Sequence, residues 1–273
     1  MKPIRACVIG HPVDHSKSPL IHNHWLEIYG IHGLYEKMDV QPGTLGAAMN
    51  DLVKIGYAGF NVTLPYKEDI MALCHHIDDT ARAVGAVNMV TIRDKKLYGT
   101  NTDAYGFIQN IRAGRPDYDF QAGRAVVIGA GGAARAVVRG LLDAGAEKIT
   151  ITNRTVEKAQ AIRSMDAARI AVAEWGERSE LLGDCSLLVN TTSLGMTGKD
   201  RLEMDLAGLD PAALVCDIVY APLMTDLLLA AQARGNPVVT GIGMLIHQAR
   251  PAFKEWFGVM PEPDAELERK LLA

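Results

Sequence analysis

Two short polar segments carry residue types that could move a proton. The segment 61–67 reads NVTLPYK and ends in Lys67, and the segment 101–103 reads NTD and ends in Asp103. An ammonium group and a carboxylate among neutral amides and hydroxyls suit proton transfer on a small polyhydroxylated substrate. We therefore expect the fold to bring Lys67 and Asp103 together. An ordinary surface ion pair, which contributes little, is the alternative that the pattern leaves open.

A glycine-rich loop further along the chain predicts a dinucleotide site. Gly129, Gly131 and Ala134 fit the pattern G-x-G-x-x-G/A, with an apolar strand before them and a helix after them. Such glycines permit a tight turn and let the backbone approach a pyrophosphate at the helix N-terminus. A turn that only packs the helix onto the sheet is the alternative. Together with a proton-transfer site, a dinucleotide loop indicates a dehydrogenase.

The residues after the next predicted strand indicate which dinucleotide binds. An NAD site usually carries an acidic residue about 20 positions further on, bonded to the ribose 2′-hydroxyl. Here the strand ends in Thr152 and continues as Asn153-Arg154-Thr155, with Lys158 about one helical turn later. Two cations and neutral donors suit a 2′-phosphate, which an acidic residue would repel. NADP is therefore favoured over NAD, and a solvated helix start is the alternative.

Alternating strands and helices must position the first polar segments. The predicted elements are a strand at 4–9, a helix from Pro19 to about Tyr29 with Ser18 as its N-cap, a strand at 34–39, a helix at 44–55, a strand at 59–63, and a hairpin at 87–98 around Asp94-Lys95. Pro suits the first turn of a helix, and Ser suits the capping position. This alternation predicts an α/β domain in the first third of the chain.

The pattern restarts after a polar stretch at 113–123 and then repeats βα units. The predicted elements are a helix at 105–112, strand 125–128, helix 133–144, strand 148–152, helix 156–165, and strands at 169–173, 187–190, 214–217 and 238–240. These units indicate a doubly wound parallel sheet over about 104–240, the Rossmann arrangement. The run Leu227–Leu229 is predicted to be the buried face of a helix. The tail from Met244 is predicted to be mostly helical and anchored by packing of Trp256 and Phe257.

Composition excludes several classes of protein. The 273 residues are 48% hydrophobic with a formal net charge of −4, which argues against a nucleic-acid partner. Four dispersed cysteines predict reduced thiols, and we expect no signal peptide and no membrane span, so the expected location is cytoplasmic. His11, His15, His22 and His24 lack metal-ligand spacing. We therefore expect no metal site and assign these histidines to loop polar groups and a helix cap.

A set of motifs follows a fixed order over nearly the whole chain. They are SKSPLIHN at 16–23, NVTLPYK at 61–67, GAVN at 85–88, NTD at 101–103, GAGGA at 129–133, NRT at 153–155, NTTS at 190–193, DIVY at 217–220 and GIGMLIHQ at 241–248. Jointly this set resembles the shikimate/quinate dehydrogenase family, and within it the shikimate dehydrogenases. The resemblance implies an enzyme that reduces 3-dehydroshikimate reversibly to shikimate with NADP, in the shikimate pathway that makes chorismate and the aromatic amino acids.

The resemblance also implies roles for single residues. Lys67 would be the catalytic acid and base, paired with Asp103, and Ser16 and Ser18 would hold the substrate carboxylate. The remaining substrate-binding residues would be Thr63, Asn88, Asp103, Tyr220 and Gln248. The cofactor-binding residues would be Asp79, Gly129, Ala130, Gly131, Gly132, Ala133, Asn153, Arg154, Thr155, Lys158, Ile218 and Gly241.

Domain organisation follows from the same resemblance. It implies an N-terminal α/β substrate-binding domain over residues 1–103, completed by C-terminal helices over 242–273, and a Rossmann-type NADP-binding domain over 104–241. We expect a small-molecule substrate as the partner and a monomer or homodimer as the assembly. Two alternatives stay open, because fold alone does not decide function. One is a relative with broader specificity for quinate and for NAD, and the other is a non-catalytic dinucleotide sensor.

Overall fold

Two compact units make up the protein in the computed structural model, which describes residues 2–273. The first unit runs to Thr102 and resumes over Ile246–Ala273, and the second unit is Asp103–Leu245. The substrate and cofactor roles assigned to the two predicted domains stay predictions.

The first unit is built on a mixed six-stranded sheet of order β2-β1-β3-β5-β6-β4. Its elements before the boundary are β1 (Ile4–Gly10), α1 (Ser18–Ile28), β2 (Gly33–Asp39), α2 (Leu45–Ile55), β3 (Gly59–Val62), a 3-10 helix (Asp69–Leu73), β4 (His76–Ile77), α3 (Asp79–Val84), β5 (Met89–Arg93) and β6 (Lys96–Thr100). The predicted hairpin is confirmed, since β5 and β6 pair antiparallel. Asp94 and Lys95 in its turn have φ of 49° and 61°, as a tight two-residue turn of this kind requires.

Helix α1 begins one residue earlier than predicted. Ser18 is its first helical residue and Lys17 is the N-cap, so the prediction of Ser18 as the cap is wrong. The capping place falls to Lys17 because the Ser16 hydroxyl already accepts the Ser18 N–H at 3.3 Å, which turns the chain into the helix. The prediction of a proline in the first turn is confirmed.

The histidines of α1 are interior residues and do not lie in a loop. His22 is fully buried and stacks on the Tyr35 ring with 4.0 Å between centroids. His24 is also buried, and its Nε2 lies 2.9 Å from the Asp264 carboxylate. Their assignment to loop groups and a cap was therefore wrong, because both project from the helix into the core of the first unit.

The second unit contains the predicted doubly wound parallel sheet, which is confirmed. Its elements are α4 (Asp103–Gly114), β7 (Arg124–Ile128), α5 (Gly132–Asp143), β8 (Lys148–Thr152), α6 (Val156–Arg163), β9 (Ile170–Ala173), 3-10 helices at Trp175–Glu177 and Glu180–Asp184, β10 (Cys185–Asn190), β11 (Leu214–Asp217), α7 (Asp226–Ala233) and β12 (Val238–Val239). The strand order is β12-β11-β10-β7-β8-β9, and each adjacent pair is parallel. The chain starts in the middle at β7, runs outward to β9, and crosses back to β10.

Alternate residues of β7 face opposite sides of this sheet. Ala125 and Val127 belong to one apolar cluster, while Val126 and Ile128 belong to the other. A strand that is buried on both faces is typical of a parallel sheet with helices on each side.

Helix α7 buries only part of the predicted Leu227–Leu229 run. Leu227 and Leu228 are 4% and 0% exposed, but Leu229 is 49% exposed. The prediction was wrong for Leu229, because three consecutive residues cannot share one face of a helix.

The tail is helical, as predicted. It consists of α8 (Ile242–Phe257), which crosses the boundary between the units, and α9 (Ala265–Leu272). Trp256 and Phe257 are both buried, which confirms their predicted packing. None of the helices within residues 2–273 has the length and apolar character that a membrane crossing requires.

Candidate active site

One edge of the sheet in the first unit gathers four of the eight predicted substrate-binding residues. Parallel β1 and β3 both end at this edge, and antiparallel β5 begins there. The loop after β1 carries Ser16, the turn after β3 carries Thr63 and Lys67, and Asn88 directly precedes β5. A set of residues that lie far apart in sequence therefore converges on one edge of a single sheet.

Backbone hydrogen bonds hold these segments in register. The Thr63 N–H donates to the carbonyl of Ile9 at 2.9 Å, which joins the turn after β3 to the end of β1. The Val87 N–H donates to the carbonyl of Lys67 at 2.8 Å. Lys67 is thereby fixed beside the segment that carries Asn88, as a shared site requires.

Buried side-chain amides stabilise the segments at this edge through hydrogen bonds. Asn61 on β3 donates through Nδ2 to the Asn88 carbonyl at 3.1 Å, and its Oδ1 accepts the Tyr35 hydroxyl at 2.7 Å. The Asn88 Oδ1 accepts the Thr102 N–H at 2.8 Å, which orients the amide. Neither Asn61 nor Tyr35 was predicted as a functional residue. The position of Asn61 inside an otherwise apolar strand could have indicated a buried hydrogen-bonding role, because buried amides are nearly always hydrogen-bonded.

Three further predicted residues of the first unit lie on helices. Ser18 opens α1 and Gln248 lies within α8, and both side chains are half-buried. Asp79, predicted as a cofactor contact, is the exposed first residue of α3. Asp79 lies in the first unit, whereas the other predicted cofactor residues lie in the second. Its role stays a prediction.

In the second unit, the carboxyl ends of the parallel strands share one edge, where dinucleotides bind in folds of this kind. The turn after β7 begins with Gly129, whose φ of +109° favours glycine. A Cβ at this position would lie 2.7 Å from Thr191 Oγ1. The Gly129 N–H donates to the Thr152 carbonyl at 2.8 Å, which joins this turn to the end of β8.

Helix α5 starts directly from this turn and is free of a side-chain cap. Gly131 is the N-cap, with φ of −86° and ψ of −170°. A Cβ added at Gly131 or Gly132 would meet no atom within 4 Å, in contrast to one at Gly129. Open space beside bare backbone at a helix N-terminus is what a pyrophosphate needs. The residues present therefore fit a dinucleotide.

The segment after β8 presents cations to solvent. Arg154, Thr155 and Lys158 are exposed, and the half-buried Asn153 donates through Nδ2 to the Thr155 carbonyl at 2.8 Å. That bond closes the chain into a short turn before α6. The Arg154 guanidinium on this turn and the Lys158 ammonium in the first turn of α6 fit a ribose 2′-phosphate.

The loop after β11 carries two more predicted residues, Ile218 and Tyr220. A Cβ on Gly241 would lie 2.3 Å from the Ile218 carbonyl oxygen, so a bare glycine is required for this packing. Tyr220 follows in the same loop and is half-buried. Asp103 is the first residue of α4 and belongs to the second unit, whereas Lys67 belongs to the first. The pairing of Lys67 with Asp103 stays a prediction.

A metal centre has no support in either unit. Within residues 2–273, no three His, Cys, Asp or Glu side chains group so that they could hold a metal ion.

Three family models match successive parts of the chain. The shikimate dehydrogenase substrate binding domain matches residues 8–90, shikimate/quinate 5-dehydrogenase matches residues 113–217, and the shikimate 5′-dehydrogenase C-terminal domain matches residues 241–265.

Relatives resemble the chain over almost its full length. A shikimate dehydrogenase (NADP(+)) of Paramagnetospirillum magneticum is 50% identical over 269 residues, which cover 98% of this chain and 98% of that protein. A Thermus thermophilus shikimate 5-dehydrogenase, solved with NADP(H) and shikimate, has a TM-score of 0.87 and 35% identity, covering 98% of this chain and 99% of that one. A Corynebacterium glutamicum quinate dehydrogenase, solved with NAD, has a TM-score of 0.91 and 28% identity, covering 100% and 99%.

Proposed function

Because the chain belongs to the shikimate dehydrogenase family, we propose that it reduces 3-dehydroshikimate reversibly to shikimate with NADP. The observation that carries the proposal is the 50% identity, over 98% of both chains, to a shikimate dehydrogenase (NADP(+)). The enzyme then belongs to the pathway that makes chorismate and the aromatic amino acids.

In this proposal the first unit supplies most of the substrate-binding groups. Ser16 and Ser18 bind the carboxylate through their hydroxyls. Thr63, Asn88 and Gln248 bind ring hydroxyls, with Asp103 and Tyr220 contributed by the second unit. The support is the shared sheet edge and the hydrogen bonds that fix Lys67 next to the segment of Asn88.

All of the proposed cofactor contacts except Asp79 lie in the second unit. The backbone of residues 129–133 holds the pyrophosphate, and Asn153, Arg154, Thr155 and Lys158 hold the 2′-phosphate end. Ile218 and Gly241 line the other end, and Asp79 is a further contact. When bound, NADPH supplies the hydride equivalent that reduces the C3 carbonyl.

Lys67 donates or accepts the proton, depending on the direction of the reaction. Its ammonium stabilises negative charge that develops on the C3 oxygen during reduction and then donates the proton to that oxygen. In the oxidative direction the neutral amine accepts the proton from the C3 hydroxyl. Asp103 pairs with Lys67 and keeps the ammonium oriented.

A cytoplasmic location and assembly as a monomer or a homodimer belong to the same proposal. The support for the location is that all four cysteines are free thiols, the usual state in a reducing compartment.

The test is the formation of NADPH by the purified protein with shikimate and NADP, followed by absorbance. The assay is repeated with quinate and with NAD, because the chain also resembles a quinate dehydrogenase solved with NAD. Turnover restricted to shikimate and NADP supports the proposal. Comparable rates with quinate or NAD replace it with a broader-specificity enzyme, and nucleotide binding without any turnover replaces it with the sensor.

A further inference from the structure

The carboxylate of Asp217 ends β11 in a buried position, with only 2% of the residue exposed. Four hydrogen bonds reach it from three residues. Asn190 Nδ2 lies 3.1 Å from each carboxylate oxygen, the Val219 N–H donates to Oδ1 at 2.9 Å, and the Thr225 hydroxyl donates to Oδ2 at 2.8 Å. Asn190 Nδ2 and the Val219 N–H can only donate, and Asn190 Nδ2 reaches both oxygens, so both oxygen positions require an acceptor.

These donors belong to three different segments of the second unit. Asn190 ends β10, and its Oδ1 also accepts the Thr192 N–H at 3.0 Å and the Thr192 hydroxyl at 2.8 Å. Thr225 is the N-cap of α7 and accepts the Leu228 N–H at 3.4 Å. One carboxylate therefore joins the loop after β10, the loop after β11 and the start of α7.

The loop after β11 is held on both sides of Ile218 by this network. The Ile218 N–H donates to the Asn190 carbonyl at 3.1 Å, and the next N–H, that of Val219, donates to Asp217. Gly241 packs directly on the Ile218 carbonyl. Tyr220 directly follows Val219 in the chain, so its backbone position depends on these hydrogen bonds.

We propose that Asp217 is a positioning residue that sets Ile218 and Tyr220 for the reaction. The inference rests on the proposed function, in which Ile218 contacts the cofactor and Tyr220 the substrate. Asp217 itself touches neither molecule. Its contribution is to hold the loop backbone in one conformation through bonds that only a carboxylate can accept together.

The decisive variant is Asp217→Asn, which keeps the size and shape of the side chain. Its amide nitrogen cannot accept a hydrogen bond, so in either orientation it loses a bond from Asn190 Nδ2, and at the Oδ1 position it also loses the bond from the Val219 N–H. Loss of one buried hydrogen bond to a charged group lowers kcat by about tenfold to a hundredfold if the loop carries reacting contacts. Asp226→Asn is the matched control, because Asp226 lies on α7 with its side chain 52% exposed.

Adenosine 2′,5′-bisphosphate provides a readout that does not need turnover. It occupies the Arg154 end of the proposed cofactor site and does not reach Ile218. We expect Asp217→Asn to bind it within about twofold of the wild-type affinity. A substitution that shares no contacts with a distant binding site usually leaves the binding energy there unchanged within a few tenths of a kcal/mol. Equal loss of this affinity and of kcat would mean general damage to the second unit and would overturn a positioning role.

Thr225 gives a graded second test. Thr225→Ser keeps the hydroxyl that donates to Asp217, and Thr225→Val removes it. The serine variant should recover most of the kcat that the valine variant loses. Equal activity in the two would overturn the inference.

Amide hydrogen exchange separates this inference from the proposed function. Asp217→Asn should speed exchange in peptides that cover residues 218–224 and leave the peptides of β8 and α6 unchanged. If the wild type turns over no shikimate, the proposed function fails while the exchange result still reads the loop. If the wild type is active and the variant changes neither exchange nor kcat, the positioning role fails alone.

Discussion

Lys67 and Arg154 carry the two charges on which the proposed chemistry depends most. Lys67 is half-buried and its backbone carbonyl accepts the Val87 N–H, whereas the Arg154 side chain is exposed on a turn. In the proposal, Lys67 acts in the chemical step and Arg154 selects the cofactor. The two residues therefore call for different measurements.

For Lys67→Met we expect kcat to fall by about a hundredfold to ten-thousandfold with KM little changed, because a general acid acts mainly in the transition state. Steady-state kinetics with varied shikimate separates the two constants. Lys54→Met is the control, since the Lys54 side chain is 77% exposed on α2. A large rise in KM with kcat intact would make Lys67 a binding residue.

For Arg154→Ala we expect KM for NADP to rise about tenfold to a hundredfold, because a bond to a charged phosphate contributes about 1.5–3 kcal/mol. KM for NAD should change little, since NAD lacks the 2′-phosphate. The ratio of the two values is the measurement. Arg163→Ala, at the exposed far end of helix α6 that follows Arg154, is the matched control. Parallel losses with both cofactors would contradict the assignment.

Residue types alone predicted the polar groups but not their surroundings. Asn61 and Asp217 were quoted within motifs, yet their roles as buried hydrogen-bonding centres depend on partners far away in the sequence. His22 was grouped with its neighbours as a loop polar group or a helix cap, because a single histidine gives no sign of the aromatic rings that pack around it. The Ser18 cap was wrong because a serine two residues earlier already accepts its N–H.

At the scale of elements, the turn between β7 and α5 shows how one loop combines two demands. Gly129 is required by the fold, through its positive φ and its close approach to Thr191. Gly131 has open space beside it and an ordinary φ of −86°. Folding therefore requires the first glycine, and the proposed cofactor requires the second.

Two substitutions separate these demands. Gly129→Ala should lower the free energy of unfolding by about 2 kcal/mol or more, from the left-handed conformation and the overlap with Thr191. Gly131→Ala should change it by no more than about 0.5 kcal/mol and still weaken NADP binding, because its Cβ enters the pyrophosphate space. Urea unfolding and nucleotide titration measure the two effects. Wild-type affinity in Gly131→Ala would contradict the assignment of the loop.

Most strands of the second unit were predicted, whereas β4 and α3 of the first unit were missed. Strands β8 and β11 have the predicted bounds: β-branched residues fill β8 up to Asn153, and an apolar run in β11 ends at Asp217. Strand β4 has only two residues and α3 only six, too few for a period to show. Their positions are set by contacts with β6 and by the Asp78 side chain, which accepts the Ala81 N–H at 2.7 Å.

For the whole molecule, two buried histidines couple stability to pH. Burial lowers the pKa of His22 to about 3, and burial together with the Arg250 charge lowers that of His247 to about 4. In the unfolded chain both would return to the ordinary value of 6.5. Below pH 6.5 both histidines bind protons in the unfolded state, whereas in the folded state they stay neutral until a much lower pH. Their contribution to stability is therefore fully present above pH 6.5 and is lost as the pH falls toward 4.

We expect the free energy of unfolding to fall by about 2 kcal/mol from His22 alone between pH 7.5 and pH 5. Urea unfolding at several pH values measures the slope. His22→Phe should reduce the slope over this range, and His32→Gln, which alters an exposed histidine, should not. An unchanged slope in His22→Phe would contradict the burial argument.

The division of the first unit between both ends of the chain has a consequence for synthesis. Phe253 and Trp256 lie 6.0 Å and 5.7 Å from the His22 ring, so the core built on α1 is incomplete without them. On the ribosome these residues emerge after the uninterrupted second unit, whose strands are all made before them. Until then the sheet of the first unit, which is synthesised first, leaves its aromatic residues exposed to solvent. The nascent chain therefore depends most on chaperones during that interval.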